Sequence, residues 1–263
     1  MEFNPKDYWE ERLSGDYSFR GVGDITLGVN YNNYIYKLRT YVINRLIRKS
    51  RIDIAGKRMI DIGPGTGFYV EQFKQHGCTD LCGIDITQKV VSELGNRYPA
   101  FRFYQADIGS ADFTPPESGF DIASSFDVLY HIVEDRKFEN AIKNISAMIK
   151  PGGIFLYSDY FLPPGKRYEI THMVCRDMNY VQDVLKSNDF TIEKKTPMFV
   201  LMNTSFSRNF FMKRFFDLVS RFIRKGETYG KIAGACLYPF EVGLVSTLSH
   251  SRSTEILVCR KKG

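Results

Sequence analysis

One stretch, Met59-Ile60-Asp61-Ile62-Gly63-Pro64-Gly65-Thr66-Gly67-Phe68-Tyr69, limits this 263-residue chain more than any other. An apolar strand ends in an acid, three glycines follow at every second position, and a helical pattern begins. Glycine lacks Cβ, so such a loop can turn tightly and let a ligand approach the backbone. The C-terminal end of a strand feeding the start of a helix is where nucleotide-like ligands bind in open parallel α/β sheets. A dinucleotide fingerprint reads G-x-G-x-x-G and seats a pyrophosphate on the helix N-terminus. Here the spacing is G-x-G-x-G, and Asp61 before it suits a cationic or zwitterionic group better than a pyrophosphate. Both features argue against a nicotinamide-dependent oxidoreductase.

Strand and helix signals alternate from residue 51 to residue 160. Strands are predicted at Arg58 to Ile62, Leu81 to Ile86, Phe101 to Ala106, Phe120 to Ser124 and Ile154 to Tyr157. Helices are predicted at Tyr69 to His76, with Gly77 closing it, at Gln88 to Arg97 and at Lys137 to Ile149, which Pro151-Gly152-Gly153 ends. Such alternation implies a parallel sheet covered on both faces. A helix from Arg176 to Ser187 and extended stretches at Phe190 to Met202 and Thr254 to Cys259 complete the series. The last two are separated by an insertion. In it, Phe206, Phe210, Phe211, Phe215, Leu218, Val219, Phe222 and Ile223 mark one helical face and basic residues the other. A second apolar stretch, Ile232 to Leu248, is interrupted by Pro239. Near the N-terminus Tyr31, Tyr34, Ile35, Leu38, Tyr41, Val42 and Leu46 fit an amphipathic helix.

Three acids follow the strand ends. Asp61 precedes the glycines; Asp85, 18 residues beyond Gly67, closes the second strand; Asp107 closes the third. An acid at the position of Asp85 can accept hydrogen bonds from both ribose hydroxyls. With the Gly63, Gly65 and Gly67 loop, the segment Ser124-Ser125-Phe126-Asp127-Val128-Leu129-Tyr130-His131-Ile132 and Ile149-Lys150-Pro151-Gly152-Gly153, the chain resembles the class I S-adenosylmethionine-dependent methyltransferases over residues 58 to 160. The resemblance implies a Rossmann-like, doubly wound, mostly parallel seven-stranded sheet with an antiparallel last strand. It also implies that the loop passes the methionine part of the cofactor, that Asp107 and Ile108 meet the adenine, and that Ile86 packs on its face; Phe126 is a further candidate contact. Tyr8-Trp9-Glu10-Glu11-Arg12-Leu13 resembles a lead-in helix that closes over the methionine end, with Trp9 near it and Arg12 able to pair with the cofactor carboxylate. Domains are expected as a helical cap or lid at 1–50, a cofactor-binding catalytic domain at 51–203 with 253–263, and a helical insertion at 204–252. Cap and insertion are expected to build the substrate pocket.

Methyl transfer to an alcohol also needs a base. Of four histidines, His131 follows the fourth strand and His172 the fifth, so both are candidates; His76 and His250 read as structural or exposed. No adjacent Asp-Asp or Asp-Asn pair supports a magnesium site at Asp127 or Asp159, and the five cysteines lack zinc-ligand spacing and suit a reducing cytoplasm. The charge of +6 is mild, no signal peptide or membrane-spanning run is present, and no nucleic-acid module or Asn-Pro-Pro-Tyr motif occurs. The expected activity is O-methylation of a small molecule, as in similar bacterial methyltransferases of glycan or secondary-metabolite pathways, by a cytoplasmic monomer or homodimer. N- or C-methylation is the alternative, and a non-catalytic scaffold a third. Residues 205–225 could be a packed lid, or could rest on an anionic membrane.

Overall fold

The computed structural model describes residues 3–203 and 210–263. Seven strands form one sheet: β1 (Arg58–Ile62), β2 (Asp80–Asp85), β3 (Arg102–Gln105), β4 (Phe120–Phe126), β5 (Ile149–Asp159), β8 (Phe190–Pro197) and β9 (Glu255–Lys261). The spatial order is β3-β2-β1-β4-β5-β9-β8. The β1–β2, β1–β4, β2–β3 and β4–β5 pairs are parallel. β9 runs against β8: the Met198 N–H donates to the Thr254 carbonyl at 2.9 Å and the Lys262 N–H to the Asp189 carbonyl at 2.8 Å. This is the mixed Rossmann-like sheet expected, with its antiparallel strand last in the chain. A hairpin of β6 (Tyr168–Ile170) and β7 (Met173–Cys175) stands apart from it.

Helices α4 (Phe68–Gln75), α5 (Gln88–Arg97), α6 (Asp135–Met148) and α7 (Met178–Ser187) connect the strands. The core includes Ile60, Ile62 and Ile84 of the sheet and Phe138, Ala141, Ile142 and Ile145 of α6, which recur at helical spacing. Residue Gly77 (φ +87°) follows the C-terminal residue His76, and the Cys78 N–H reaches the Phe73 carbonyl at 3.0 Å, a Schellman closure. Pro151-Gly152-Gly153 acts differently from expectation. The helix already ends at Met148, and these residues lie in β5, where the β4 register shifts between Phe120 and Ile122. They make a bulge in a strand, and they do not stop a helix.

The chain divides into two compact units: one joins the segment ending at Ser14 with Ile54–Lys195 and Ile256–Gly263, the other joins Gly15–Asp53 with Thr196–Glu255. The expected separate cap and insertion are therefore one helical unit, and α1 (Pro5–Gly15) belongs with the sheet through Ser14. In the helical unit α3 (Gly28–Ser50) packs on α9 (Glu227–Thr247). Close approach is possible because α9 presents Gly230, Ala233 and Gly234; a Cβ on Gly234 would lie 2.3 Å from the Tyr34 ring. The Glu227 carboxylate accepts the Val29 and Asn30 N–H groups at 2.8 and 2.7 Å, capping α3. Pro239 does not interrupt α9: Pro239 and Ala235, whose carbonyl loses its partner, are both exposed, so water can replace the lost bond. Helix α8 (Phe210–Ile223) precedes it; Phe206, part of the expected apolar face, lies outside the described residues. No helix among the described residues is long and apolar enough to cross a membrane.

Candidate active site

Strand order reverses between β1 and β4, and the crevice outside the strand ends at such a switch point is the binding place of open α/β sheets. The glycine loop leaves β1 there. Gly63, Gly65 and Gly67 all have positive φ (69°, 52° and 79°), which explains the alternate spacing. The Gly63 N–H donates to the Ile84 carbonyl at 2.8 Å and the Gly67 N–H closes a turn on Pro64, so the loop is tied to β2 and to itself.

Asp61 is buried beneath this loop. Its Oδ1 accepts from the Ser124 hydroxyl at 2.7 Å, and its Oδ2 has no hydrogen-bond partner. Burial pushes its carboxyl up to about 7, and nearby Asp85 adds to the rise. Asp85 accepts from the Thr87 N–H and hydroxyl at 2.9 and 2.8 Å and from the Gly65 N–H. Burial raises it to about 6 despite these bonds. Two buried acids without a cation, one with an orphaned oxygen, form a site that a positively charged group would complete. The donor set fits the ammonium and ribose of S-adenosylmethionine: Asp61 for the cationic end and Asp85 for the hydroxyls.

A small cleft lies along the strand ends, lined by Pro5, Ile86, Asp107, His131, Ile132 and Lys137 among others. The structure therefore brings together three residues from separate strand ends, Ile86, Asp107 and His131. Asp107 Oδ1 also accepts the Gly109 N–H at 2.8 Å. Two further candidate residues have their side chains turned inward. Ile108 is buried in the core with its carbonyl accepting from Asn144 at 2.8 Å. Phe126 is buried with its ring stacked on Tyr69 at 4.1 Å.

The segment α1 covers this region with aromatic groups. Trp9 meets the His131 ring edge-on at 4.8 Å, and Tyr8 stacks on His172 at 5.3 Å. Arg12 lies over Trp9 at 5.0 Å and donates to the Tyr8 hydroxyl at 2.8 Å. Glu10, which the sequence did not single out, accepts the Gln88 and Lys89 N–H groups at 2.8 and 3.0 Å. It caps the helix that follows Asp85 from a segment some 78 residues away.

His131 and His172 lie side by side, their rings 5.9 Å apart. His131 Nδ1 is 2.7 Å from the His172 carbonyl oxygen. A carbonyl only accepts, so Nδ1 carries the proton and neutral His131 keeps its lone pair on Nε2. Burial drives its pKa down to about 4 against the opposing bond to the His172 carbonyl, with the charges of His172 and Arg12 adding smaller downward pulls. Burial also lowers His172, with Arg12 adding to the effect. Asp127 and Asp159 are engaged elsewhere: Asp127 pairs with the Ser158 hydroxyl at 2.9 Å, and Asp159 with the Tyr157 hydroxyl and the Tyr160 N–H.

A mixed sheet of this order, a glycine loop flanked by buried acids and a cleft along the strand ends are the marks of the class I S-adenosylmethionine-dependent methyltransferases. A family model described as a methyltransferase domain matches residues 34–189, and the chain belongs to that family. Among curated proteins it is similar to a ubiquinone biosynthesis O-methyltransferase of Coxiella burnetii, 29% identical over 114 residues, 42% of this chain and 46% of that one. It is also similar to a phosphoethanolamine N-methyltransferase of Triticum aestivum, 31% identical over 122 residues, 43% of this chain and 22% of that one. The chain thus spans less than half the length of these relatives. Among solved structures, the N-methyltransferase NodS of Bradyrhizobium japonicum, in complex with S-adenosylhomocysteine, shares the fold with a TM-score of 0.60 at 14% identity, covering 99% of this chain and 100% of that one.

Proposed function

We propose that this methyltransferase acts on a hydroxyl of a small molecule, with His131 Nε2 accepting the proton. The observation that carries the reading is the bond between His131 Nδ1 and the His172 carbonyl, which leaves Nε2 as the acceptor on a residue lining the cleft. Bound S-adenosylmethionine supplies an already activated methyl group, so the protein's tasks are to orient the acceptor and receive its proton.

Asp61 holds the amino end of the cofactor and Asp85 its ribose hydroxyls, and Asp107 and Ile86 border the adenine position. His131 is uncharged at neutral pH because its pKa lies far below it. It can therefore accept a hydrogen bond from a hydroxyl before any proton moves. Trp9, Tyr130 and His172 around it form an aromatic wall, with Tyr130 and His131 rings 4.4 Å apart. Such a wall favours a flat metabolite or a sugar face, in keeping with a glycan precursor or secondary metabolite as acceptor.

Screening hydroxylated acceptors for methyl transfer, then assaying His131→Ala, tests the reading. A loss of about 10²–10⁴-fold in kcat with unchanged S-adenosylhomocysteine affinity is expected for a lost general base. Full turnover by the variant removes His131 from the role. An amine acceptor methylated in preference to every alcohol replaces the O-methylation reading with N-methylation.

A further inference from the structure

The segment after β5 carries a small device that the sequence did not announce. β6 and β7 pair antiparallel, Tyr168 opposite Cys175 and Ile170 opposite Met173, so Thr171-His172 is a two-residue turn. The turn places the His172 carbonyl on His131 Nδ1 at 2.7 Å. Directly after β7 comes Arg176, only 3% exposed. Its Nη2 donates to the Ile132 carbonyl and its Nε to Asp135 Oδ1, both at 2.8 Å, and its guanidinium lies 4.3 Å from the Phe138 ring centroid. The Arg176 carbonyl in turn accepts the Leu162 N–H at 3.0 Å. One end of the hairpin thus holds the His131 ring, and the other holds the backbone one residue further on.

Burying an arginine is costly unless its donors are matched, and Arg176 Nη1 is left without a hydrogen bond. Stability alone gives a poor account of such a residue. The backbone bond to Ile132 gives a better one, because it fixes the exit of the β4 loop that presents His131.

We propose that the β6–β7 hairpin is the positioning element of the active site: the His172 carbonyl sets the Nδ1–H tautomer of His131, and Arg176 is the positioning residue that holds its loop. His172 then acts through its backbone, and its ring is not a base. The proposal rests on the reading of His131 as proton acceptor, but the tautomer can be read without turnover.

The test uses the full chain labelled with ¹⁵N-histidine and long-range ¹H–¹⁵N correlation spectra at neutral pH, with His131 assigned by the signal lost in His131→Gln. Wild type and His172→Ala are expected to show His131 as a single Nδ1–H tautomer. Arg176→Lys, and separately a His172→Gly and Thr171→Gly double variant that loosens the turn without touching the buried core, are expected to show mixed tautomers. Their kcat should fall by about tenfold or more at unchanged S-adenosylhomocysteine affinity. An Nε2–H tautomer in wild type overturns the proposal. So do wild-type tautomer and kcat in both the Arg176→Lys and the turn variants. If the tautomers behave as expected but His131→Gln keeps full turnover, the clamp stands and the reading of His131 as acceptor falls.

Discussion

Glu10 Oε2 accepts the backbone N–H of Gln88 at 2.8 Å, and the same carboxylate takes the Lys89 N–H at 3.0 Å. The start of a helix carries unpaired donors and a partial positive charge, so an acid there is stabilising. Thr87 caps the same helix by accepting the Val90 N–H. Glu10 adds a tie between α1 and the helix that follows Asp85.

Glu10→Ala should therefore loosen α1 more than it destabilises the sheet. The expected loss is about 0.5–2 kcal/mol, the scale of a removed N-cap. Hydrogen exchange checks it: amides of residues 6–14 should exchange faster while those of β1 and β4 keep their protection. Equal acceleration in both would show that the contact serves global stability.

Asp61 predicts a pH dependence of cofactor binding. In the role proposed for Asp61, binding a cationic amino group requires the ionised carboxylate, and burial pushes its carboxyl up to about 7 in the free protein. Affinity for S-adenosylhomocysteine should rise as pH increases through 5 to 8 and fall as pH drops below about 7. Asp61→Asn should bind more weakly and lose most of this slope, as titration calorimetry across that range would reveal.

The same shift has a stability sign. A carboxyl raised from an unfolded value of about 3.9 binds its proton more tightly when folded, so stability falls as pH rises between roughly 4 and 7. Above 7 the full cost is present. The unfolding free energy of Asp61→Asn relative to wild type should thus move in the variant's favour as pH increases, measured by denaturant titration at several pH values. A difference independent of pH would mean that the carboxyl titrates normally.

Gly67→Ala tests the loop itself. At φ +79° an added Cβ would lie 2.6 Å from Leu94 Cδ2 and 3.2 Å from the Tyr98 ring. Left-handed strain and the clash together should cost about 1–3 kcal/mol. A thermal melt that does not move would show the loop relaxing without penalty.

In the helical unit, Glu241 is fully buried and accepts the N–H groups of Val200, Leu201 and Met202 at 2.6, 2.8 and 3.2 Å. Glu241→Ala would strand three donors, at about 1–3 kcal/mol each if none finds another partner. Glu241→Gln should lose less, because Oε1 alone serves two of the three. Urea unfolding of both variants gives the order; equal losses would argue that the charge, and not the acceptor geometry, matters.

Much of the fold was legible in the residues. The limits of β1 and of α5 match the reading from Arg58 to Ile62 and from Gln88 to Arg97, because dense β-branched or periodic apolar residues and clear caps define them. The hairpin of Tyr168–Ile170 and Met173–Cys175 was not legible, since three-residue strands carry too little periodicity to stand out. Pro239 read as a break in what is one helix, because whether a lost backbone bond can be met by water depends on exposure. Of the candidate site, Asp61, Asp85 and Gly63, Gly65 and Gly67 were readable from spacing. Glu10 and Arg176 were not, since their partners lie some 78 and 44 residues away.

By itself the sequence determined the local geometry: a glycine loop that only positive φ can satisfy, acids at the ends of three strands, and a strand-helix alternation that admits a parallel sheet. These follow from φ preferences and side-chain periodicity, which act over a few residues. Tertiary structure alone decided the rest. It left Asp61 Oδ2 buried without a partner, packed the side chains of Phe126 and Ile108 in the interior, and brought Glu227 of α9 onto Val29 of α3 across a separation of 198 residues. It also chose which nitrogen of His131 carries the proton. Burial and the identity of a hydrogen-bond partner are properties of neighbours brought together by folding, and no local pattern encodes them.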